Sequence, residues 1–351
     1  MRPLDDLIRA TIAAEGPMRM DHYMALVLGH PQHGYYMKQD PFGAEGDFVT
    51  APEVSQVFGE LIGIWCVAAW QGMGSPSAFH LVELGPGRGT LMADLLRAAQ
   101  LVPSFGAAAK VHFVEMSPVL RAEQRKAVPQ AQWHGQFGDV PEGPALIVAN
   151  EFFDALPIRQ FERRNGAWHE RVIGLEEGAL RLGLVPAPGF HVACAGEGDV
   201  AEVSEARDAV AQQIGARLKR QPGAALIIDY GHAPSAPGDT LQAMKHHAYV
   251  PLTESPGDCD VTSHVDFEML GLALKAGGAQ VAPLLTQRPF LLAMGLTQRF
   301  AKLAAAADVS TRATLARAEA RLADQRQMGN LFKVLASTSP GLPIPYPFGV
   351  T

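Results

Sequence analysis

The chain has 351 residues, of which 48% are hydrophobic and 19% are charged. This length and composition suit a globular protein with one large or two modest domains and a full hydrophobic core. The formal net charge is −7 and no block of lysine and arginine is present, so we expect no nucleic-acid partner. Three widely spaced cysteines without a CxxC pair argue against a disulfide framework or a zinc cluster.

The sequence contains no stretch typical of membrane insertion or export. Its most apolar run, 61–69, is roughly half as long as a transmembrane helix requires. Near the start, Asp5, Asp6 and Glu15 interrupt any secretory or arginine-rich transit pattern. We therefore expect no integral membrane segment and a cytoplasmic location.

Residues 1–75 are predicted as an N-terminal helical and lid region. Apolar residues recur at helical spacing near the start of the chain. A polar, glycine-containing loop over 40–52 follows and carries Phe48, Thr50 and, just beyond it, Glu53. Such a loop fits either a lid over a ligand site or a solvated connection.

The segment from Phe79 to Thr90 begins as an apolar strand, breaks at a glycine and resumes as a helix. Gly85, Gly87 and Gly89 stand at alternate positions in this turn. Glycine permits positive φ and lets a ligand approach bare backbone, while the helix N-terminus presents unpaired N–H groups. The turn predicts a site for a nucleotide-like ligand, with an ordinary tight turn as the alternative.

Strands and helices alternate over 76–351, which we predict as one Rossmann-like domain. The alternation implies an α/β fold with a doubly wound, mostly parallel sheet. Seven strand candidates with a late apolar pair fit a seven-stranded methyltransferase-type sheet, whose final strand inserts antiparallel. The sixth of these candidates is predicted over 280–285. Two departures from the alternation are a β insertion over about 158–204, with an Asn165-Gly166 hairpin turn, and a C-terminal helical pair over about 287–326.

Acidic residues follow several of the predicted strands, where ligands bind in doubly wound sheets. Glu115 ends the strand after the glycine turn, and a carboxylate there can accept both hydroxyls of a ribose. Glu83 stands two residues before the first glycine and would repel a pyrophosphate at close range. A sulfonium donor with an amino-acid end and a ribose but no phosphate fits better. We therefore predict S-adenosyl-L-methionine as the cofactor, held by Glu83, Gly85, Gly87, Gly89, Glu115 and Asn150.

Two further carboxylates, Glu151 and Asp154, follow the fourth strand and are candidate catalytic residues. Transfer of a methyl group from a sulfonium requires alignment of the nucleophile and exclusion of water. If the acceptor is arginine, whose pKa lies above about 12, carboxylates must hold the guanidinium and help its proton leave. The alternative is that both side chains cap the following turn.

His264 and Asp266 form a second candidate pair, as a general base near the mouth of the site. Helix capping by Ser263 or Asp266 is the alternative explanation. His30 and His33 are close enough in sequence to suggest a metal site, but no acidic or cysteine ligand lies near them. We therefore predict no metal.

Three segments together resemble the MidA-like family of S-adenosyl-L-methionine-dependent methyltransferases. They are 46–55 (GDFVTAPEVS), 83–90 (ELGPGRGT) and 150–157 (NEFFDALP). Further matching segments are 229–231 (DYG), 260–267 (DVTSHVDF) and 328–335 (MGNLFKVL), so the resemblance covers nearly the whole chain.

The resemblance implies a function, because the family includes a mitochondrial complex I assembly factor that methylates protein arginine. It implies symmetric dimethylarginine on the quinone-side iron–sulfur subunit of NADH dehydrogenase and a role in assembly of that complex. Because the sequence shows no convincing mitochondrial transit segment, we expect a bacterial member, with relatives in the mitochondrial matrix. The glycine turn and Glu83 would hold the methionine end of the donor, and Glu115 its ribose. Two alternatives stay open: a nicotinamide-dependent oxidoreductase and a non-catalytic assembly chaperone that kept the cofactor fold.

Overall fold

The computed structural model describes residues 3–38, 50–193 and 195–348, and the elements below lie within these ranges. The first of them form a small helical unit at the start of the chain. Leu4, Ile8 and Ile12 are buried on one face of its leading helix, as their helical spacing predicts. The unit consists of α1 (Pro3–Glu15), β1 (Met18–Arg19), α2 (Met20–Gly29) and α3 (Tyr35–Lys38).

Two helices precede the main sheet: α4 (Ala51–Val54) and α5 (Gln56–Gly72). Ser55 begins α5, because its hydroxyl oxygen accepts a hydrogen bond from the Val57 N–H at 3.3 Å. Most of α5 is apolar and buried, since the helix packs in the core beneath the sheet and only a narrow face meets solvent.

The first half of the main sheet follows the predicted alternation of strands and helices. Ser117 and Pro118 begin one of the helices that connect the strands, and the Ser117 hydroxyl accepts a hydrogen bond from the Leu120 N–H at 3.2 Å. The elements are β2 (Phe79–Leu84), α6 (Thr90–Ala99), α7 (Pro103–Ala108), β3 (Ala109–Val114), α8 (Pro118–Ala127), β4 (Gln132–His134), a 3-10 turn (Phe137–Asp139) and β5 (Ala145–Asn150).

A β insertion interrupts the sheet after β5. Its strands are β6 (Arg159–Arg164), β7 (Ala167–Glu176), β8 (Ala179–Pro186) and β9 (Val200–Val203), all paired antiparallel. The predicted Asn165-Gly166 turn joins β6 to β7, with both residues at positive φ. Strand β1 adds to β7, so the start of the chain and the insertion build one five-stranded sheet.

The second half of the chain returns to the main sheet and ends in helices. Its elements begin with α9 (Glu205–Arg220), β10 (Gly223–His232), β11 (Gln242–Lys245), β12 (Ala248–Val250), β13 (Asp260–Thr262) and β14 (Val265–Asp266). They continue with α10 (Phe267–Gly277), β15 (Gln280–Val281), β16 (Leu285–Thr286), α11 (Gln287–Ala293), α12 (Leu296–Ala305), α13 (Val309–Ala323), α14 (Met328–Leu331) and β17 (Phe332–Thr338). Within the described ranges, no helix combines the length and the apolar character needed to cross a membrane.

The main path of the large sheet has the strand order β15-β17-β10-β5-β2-β3-β4. Neighbours from β10 to β4 pair in parallel, whereas β17 lies antiparallel between β10 and β15. The predicted doubly wound, seven-stranded sheet with an antiparallel final strand is therefore confirmed. Strands β14 and β16 add to this path at β10 and β17.

Two details of the sequence prediction are wrong. The sixth strand, predicted as continuous over 280–285, consists of the short strands β15 and β16, and Pro283 between them has no N–H to donate to the ladder. Residues 287–326, predicted as a helical pair, contain three helices, α11 to α13. Gly295 separates the first two, because at φ +98° it leaves the helical conformation.

Among the described residues, three hydrophobic clusters join these layers, and a fourth, smaller cluster lies within the β insertion. One lies between the sheet and helices α5, α6, α11 and α12, and another lies on the opposite face beneath α9 and α10. The third joins α1 and α2 to the insertion and to β13, because Ile8 and Tyr23 share a cluster with Ile173 and Val261. The domain boundary at residue 75 stays a prediction, although α5 packs with the large sheet.

Candidate functional site

The glycine turn lies where β2 ends and α6 begins. Gly85, Gly87 and Gly89 have φ values of +61°, +54° and +83°, so all three occupy the left-handed region that favours glycine. A Cβ atom at Gly85 would lie 2.9 Å from Cδ2 of Phe152, so no larger residue fits without a shift. The turn therefore keeps bare backbone at the carboxyl end of the sheet.

A cleft runs along this turn. Arg88 is the one positively charged residue among those described in its lining, and its guanidinium lies 4.0 Å from a carboxylate oxygen of Glu53. The lining consists of Thr50, Pro52, Glu53, Glu83, Gly85, Pro86, Gly87, Arg88, Thr90, Leu91, Asn150 and Glu151.

Glu83 is a buried carboxyl group in the wall of this cleft. It is 2% exposed, and its Oε2 atom has no hydrogen-bond partner within the described part of the chain. Burial raises the pKa of Glu83 well above its usual range. A buried carboxyl oxygen without a partner is costly, so a ligand that donates hydrogen bonds or carries positive charge would stabilise it.

Glu115 follows β3 and is held by the protein itself. Its Oε1 accepts a hydrogen bond from the Ser117 N–H at 2.7 Å, and its Oε2 accepts one from Gln124 at 3.2 Å. The same Gln124 amide donates to the Gly87 carbonyl at 2.7 Å and so connects Glu115 to the glycine turn. Burial raises the pKa of Glu115. Sequence reasoning missed Gln124, although a glutamine at a buried position of α8 is a usable signal.

Asn150 and Glu151 end β5 beside the cleft. Glu151 has φ +50°, a conformation that non-glycine residues adopt mainly where surrounding contacts impose it. Its Oε1 accepts hydrogen bonds from the Ala51 N–H at 3.1 Å and the Asn150 amide at 3.2 Å. Burial, with a contribution from the Asp154 carboxylate, raises the pKa of Glu151 to about 7. The Oδ1 atom of Asn150 is buried and has no partner in the described ranges.

Asp154, three residues after Glu151, is buried. Its Oδ2 accepts a hydrogen bond from the Tyr230 hydroxyl at 2.7 Å, whereas its Oδ1 is buried without a partner among the described residues. Burial raises the pKa of Asp154, while the Tyr230 hydroxyl and the charge of Arg207 act in the opposite direction. One oxygen is thus positioned by the protein, and the other has hydrogen-bonding capacity left for a ligand.

Asp229 anchors the segment that carries Asp154. The N–H groups of Phe153 and Asp154 donate to Asp229 Oδ2 at 3.0 and 3.2 Å. The Tyr230 N–H donates to the other oxygen at 2.9 Å. Asp229 is fully buried, and burial raises its pKa well above the usual range. Its hydrogen bonds make it a backbone support at this site.

The structure does not bring His264 and Asp266 together as a base pair: within the described ranges their side chains share no hydrogen bond. Asp266 caps α10, because its Oδ1 accepts from the N–H groups of Glu268 and Met269 at 3.0 and 3.1 Å. The His264 ring packs edge-on against Tyr230 with centroids 5.5 Å apart, and burial lowers its pKa. A catalytic role for either residue stays a prediction.

Two residues of α4 connect the predicted lid region to Glu151 and to Thr90 at the end of the glycine turn. The Thr90 hydroxyl donates to Glu53 Oε1 at 2.6 Å, and Ala51 donates to Glu151 as described above. Thr50 and Glu53 line the cleft as expected for a lid, while Phe48 lies outside the described residues.

Arg207 and Tyr36 complete the surroundings of the carboxylates and were missed from sequence. The Tyr36 hydroxyl donates to Asp260 Oδ1 at 2.8 Å, and Arg207 contacts the Phe153–Asp154 backbone. A signal for Arg207 exists, because it occupies the apolar stripe of α9 with Ala211, Ile214 and Leu218 at helical spacing. An arginine within an apolar stripe is buried only where polar groups pair with it; otherwise the stripe itself has been assigned incorrectly.

The sequence matches a family model over residues 61–284, and that family is described as "Putative S-adenosyl-L-methionine-dependent methyltransferase". The chain belongs to this family. It is the MidA-like family of methyltransferases that depend on S-adenosyl-L-methionine, as the sequence resemblance implies, so the predicted cofactor and enzyme class are confirmed.

Curated relatives of the family match nearly the whole chain. The mitochondrial protein arginine methyltransferase NDUFAF7 of Danio rerio is 36% identical over 360 residues, covering 93% of this chain and 84% of the relative. The Drosophila melanogaster homologue is 37% identical, with 94% and 83% covered, and the Homo sapiens protein is 33% identical, with 93% and 81% covered. These relatives are named as mitochondrial enzymes.

Two solved structures of proteins from Burkholderia thailandensis resemble the fold closely. One, described as a "likely methyl transferase" and bound to S-adenosyl-homocysteine, has a TM-score of 0.84 and 29% sequence identity. The other, a native structure, has a TM-score of 0.83 at the same identity. Each comparison covers 97% of this chain and 92% of the solved one.

Proposed function

We propose that this MidA-like methyltransferase methylates arginine side chains of a protein. The observation that carries the proposal is a pair of carboxyl groups, the half-buried Glu151 and the buried Asp154, in the segment that follows the strand beside the glycine turn. Asp154 has a buried oxygen without a partner in the described ranges, which favours a cationic ligand such as a guanidinium. The names of the curated relatives support the same acceptor.

For the methyl donor we propose the cleft along the glycine turn. The donor supplies a methyl group on a sulfonium centre, and its amino-acid end fits the two unpartnered atoms Glu83 Oε2 and Asn150 Oδ1, which accept hydrogen bonds from an ammonium. Arg88 can balance the carboxylate of that end. The residues proposed to hold the donor are Glu83, Gly85, Gly87, Gly89 and Asn150, with Glu115 on the ribose hydroxyls.

The acceptor chemistry follows from the two carboxylates. A guanidinium has a pKa above about 12, so it must be held in line and lose a proton during transfer. Asp154 Oδ1 and Glu151 would bind its N–H groups and orient one nitrogen toward the cleft. Glu151, whose pKa is raised to about 7, would accept the released proton near neutral pH.

We propose further that the acceptor lies on the quinone-side iron–sulfur subunit of NADH dehydrogenase, where symmetric dimethylarginine would form during assembly. This step rests on family resemblance and on the names of the mitochondrial relatives. A bacterial cytoplasm is the corresponding proposal for location.

The decisive experiment uses purified protein, methyl-labelled S-adenosyl-L-methionine and an extract of a strain that lacks the gene. We expect label on arginine of one protein in that extract, recovered as symmetric dimethylarginine after hydrolysis. Mass spectrometry of the labelled protein tests the subunit assignment separately. Absence of label from every protein arginine would overturn the proposal.

Two experiments distinguish the proposed function from its alternatives, a nicotinamide-dependent oxidoreductase and a non-catalytic assembly chaperone. A calorimetric titration in which NADH binds and S-adenosyl-L-methionine does not would indicate an oxidoreductase, which the family membership disfavours. For a non-catalytic assembly role, the Gly87→Val variant is informative, because a β-branched side chain resists positive φ and occupies donor space. A folded Gly87→Val protein that binds no donor should then fail to support complex assembly if methylation is required.

A further inference from the structure

Arg207 is a buried guanidinium that donates, among the described residues, to backbone carbonyls and a serine hydroxyl and not to a carboxylate. It lies at the start of α9 and is 7% exposed. Its Nε donates to the Phe153 carbonyl at 2.7 Å, and its Nη1 donates to the His264 carbonyl at 2.8 Å. Its Nη2 donates to the carbonyls of Asp154 and Ser263 at 3.2 and 3.1 Å and to the Ser263 hydroxyl at 2.7 Å. One side chain therefore joins two segments of the site.

The backbone next to Asp154 is held from both sides. Asp229 accepts from the N–H groups of Phe153 and Asp154, while Arg207 donates to the carbonyls of the same two residues. The Ser263 N–H adds a hydrogen bond to the Asp154 carbonyl at 3.1 Å. With Tyr230 on Oδ2, these contacts leave the Asp154 carboxylate one orientation, in which Oδ1 is the atom without a partner.

The charge of Arg207 matters as well as its geometry. Asp154 and Asp229 are both buried, and burial favours their neutral forms. Arg207 stabilises the ionised form of both, which a cationic acceptor requires. Tyr36, Tyr230 and Glu151 also face Asp154, but none of them supplies positive charge.

Arg217 provides an internal comparison on the same helix. It is 4% exposed and donates to the carbonyls of Val140, Pro141 and Gly143, at 3.1, 2.5 and 3.3 Å. Those residues precede β5, whereas Phe153 and Asp154 follow it. The two arginines thus support backbone near opposite ends of one strand, and only Arg207 contacts the segment with the carboxylates.

We propose that Arg207 is a positioning residue for methyl transfer, which holds Asp154 toward the acceptor cation. The inference rests on the proposed function, because it needs an acceptor that Asp154 binds. None of the residues to which Arg207 donates lines the cleft along the glycine turn, so the affinity for the methyl donor should not depend on Arg207.

The test compares Arg207→Lys and Arg207→Gln with Arg217→Lys and Arg217→Gln in the full chain. Urea unfolding measures stability, calorimetry measures the affinity for S-adenosyl-L-methionine, and transfer of labelled methyl groups into deletion-strain extract at saturating donor measures the rate. Lysine keeps the positive charge but lacks the planar set of N–H donors of the guanidinium, whereas glutamine lacks both.

We expect Arg207→Gln to lower the rate about 100-fold and Arg207→Lys about tenfold, with donor affinity within about twofold of the parent. The Arg217 variants should lose comparable stability and keep the rate within about twofold. If Arg207→Gln does not fold, the rates of the two lysine variants decide. Equal rate losses at Arg207 and Arg217, or an unchanged rate in Arg207→Lys, would overturn the inference. A parent protein that methylates no arginine would instead overturn the proposed function.

Discussion

Two groups of buried polar side chains in this protein differ in how well their hydrogen bonds are satisfied. Across β2, β3 and β4, His80 Nδ1 lies 2.8 Å from His112 Nε2, and His112 Nδ1 lies 2.9 Å from His134 Nε2. His80 Nε2 completes this histidine row with the Glu142 carbonyl at 3.2 Å. At the carboxyl end of the sheet, by contrast, Glu83, Asn150 and Asp154 each keep a buried oxygen without a partner in the described ranges.

The contrast separates polar groups whose hydrogen bonds are satisfied within the protein from polar groups that have an oxygen left for a ligand. In the histidine row one assignment of protons satisfies every contact, with each Nε2 donating and the Nδ1 atoms of His80 and His112 accepting. Such a closed row needs nothing from outside. Unpartnered oxygens carry a cost in the free protein that a cationic or N–H-donating ligand removes, which is why we place the chemistry there.

The largest expected effect is at Glu151. Replacing it with glutamine removes the proposed proton acceptor, so the methyl-transfer rate should fall by about 100-fold or more. In the parent, the rate should decline as pH falls below about 7, because the raised pKa of Glu151 then leaves it protonated. A labelled-methyl assay between pH 6 and 8.5 measures both. Glu142→Gln, at an exposed carboxylate paired with Arg220, is the control and should keep the parent rate.

Glu83→Gln should weaken donor binding more than it changes stability. Glutamine keeps the shape of the side chain but cannot ionise beside the ammonium of the donor, so we expect an affinity for S-adenosyl-L-methionine lower by about tenfold to 100-fold. Calorimetric titration provides the measurement. An unchanged affinity would show that this unpartnered oxygen does not face the donor and would contradict the assignment of Glu83 to the donor site.

The histidine row should make stability depend on pH. Burial lowers the pKa of all three histidines, that of His112 to about 4, so the native state holds them neutral. Their contribution to stability is present above the unfolded-state pKa of about 6.5 and is lost as pH falls toward the folded values.

His112 alone should lower the free energy of unfolding by about 2 kcal/mol between pH 7 and 5, as its depressed pKa implies. Urea unfolding at the two pH values tests this, with His112→Gln expected to flatten the difference and the exposed His22→Gln expected to retain it. If the stability of the parent does not change between pH 7 and 5, the histidine row is not held neutral by its burial.

The smallest effect is expected at Asp266. Because its carboxylate caps α10, Asp266→Ala should cost about 1 kcal/mol of stability and leave the methyl-transfer rate within about twofold. Thermal unfolding and the labelled-methyl assay measure the two. A rate loss as large as that of Glu151→Gln would show that the predicted His264–Asp266 base operates and that the capped carboxylate belongs to the chemistry.

Local pattern in the sequence was enough to predict the sheet and the glycine turn. Periodicity, the three glycines and the strand-end acids are properties of neighbouring residues, so the seven-stranded fold and the methyl donor follow from them. The break at Pro283 and the helix end at Gly295 are local too, but they shift element boundaries, which periodicity defines less well than the presence of an element.

Tertiary structure alone decided which polar groups have partners. Hydrogen-bond satisfaction depends on residues far apart in the chain, as when Arg207 meets Asp154, Gln124 meets Gly87 and His80 meets His112. No spacing rule reports such contacts, because they arise only when separate strands and helices pack. The sequence by itself therefore determined the family of fold and the cofactor. The packed structure showed that Asp154 keeps a carboxylate oxygen without a partner in the described ranges, whereas the carboxylate of Asp266 caps a helix.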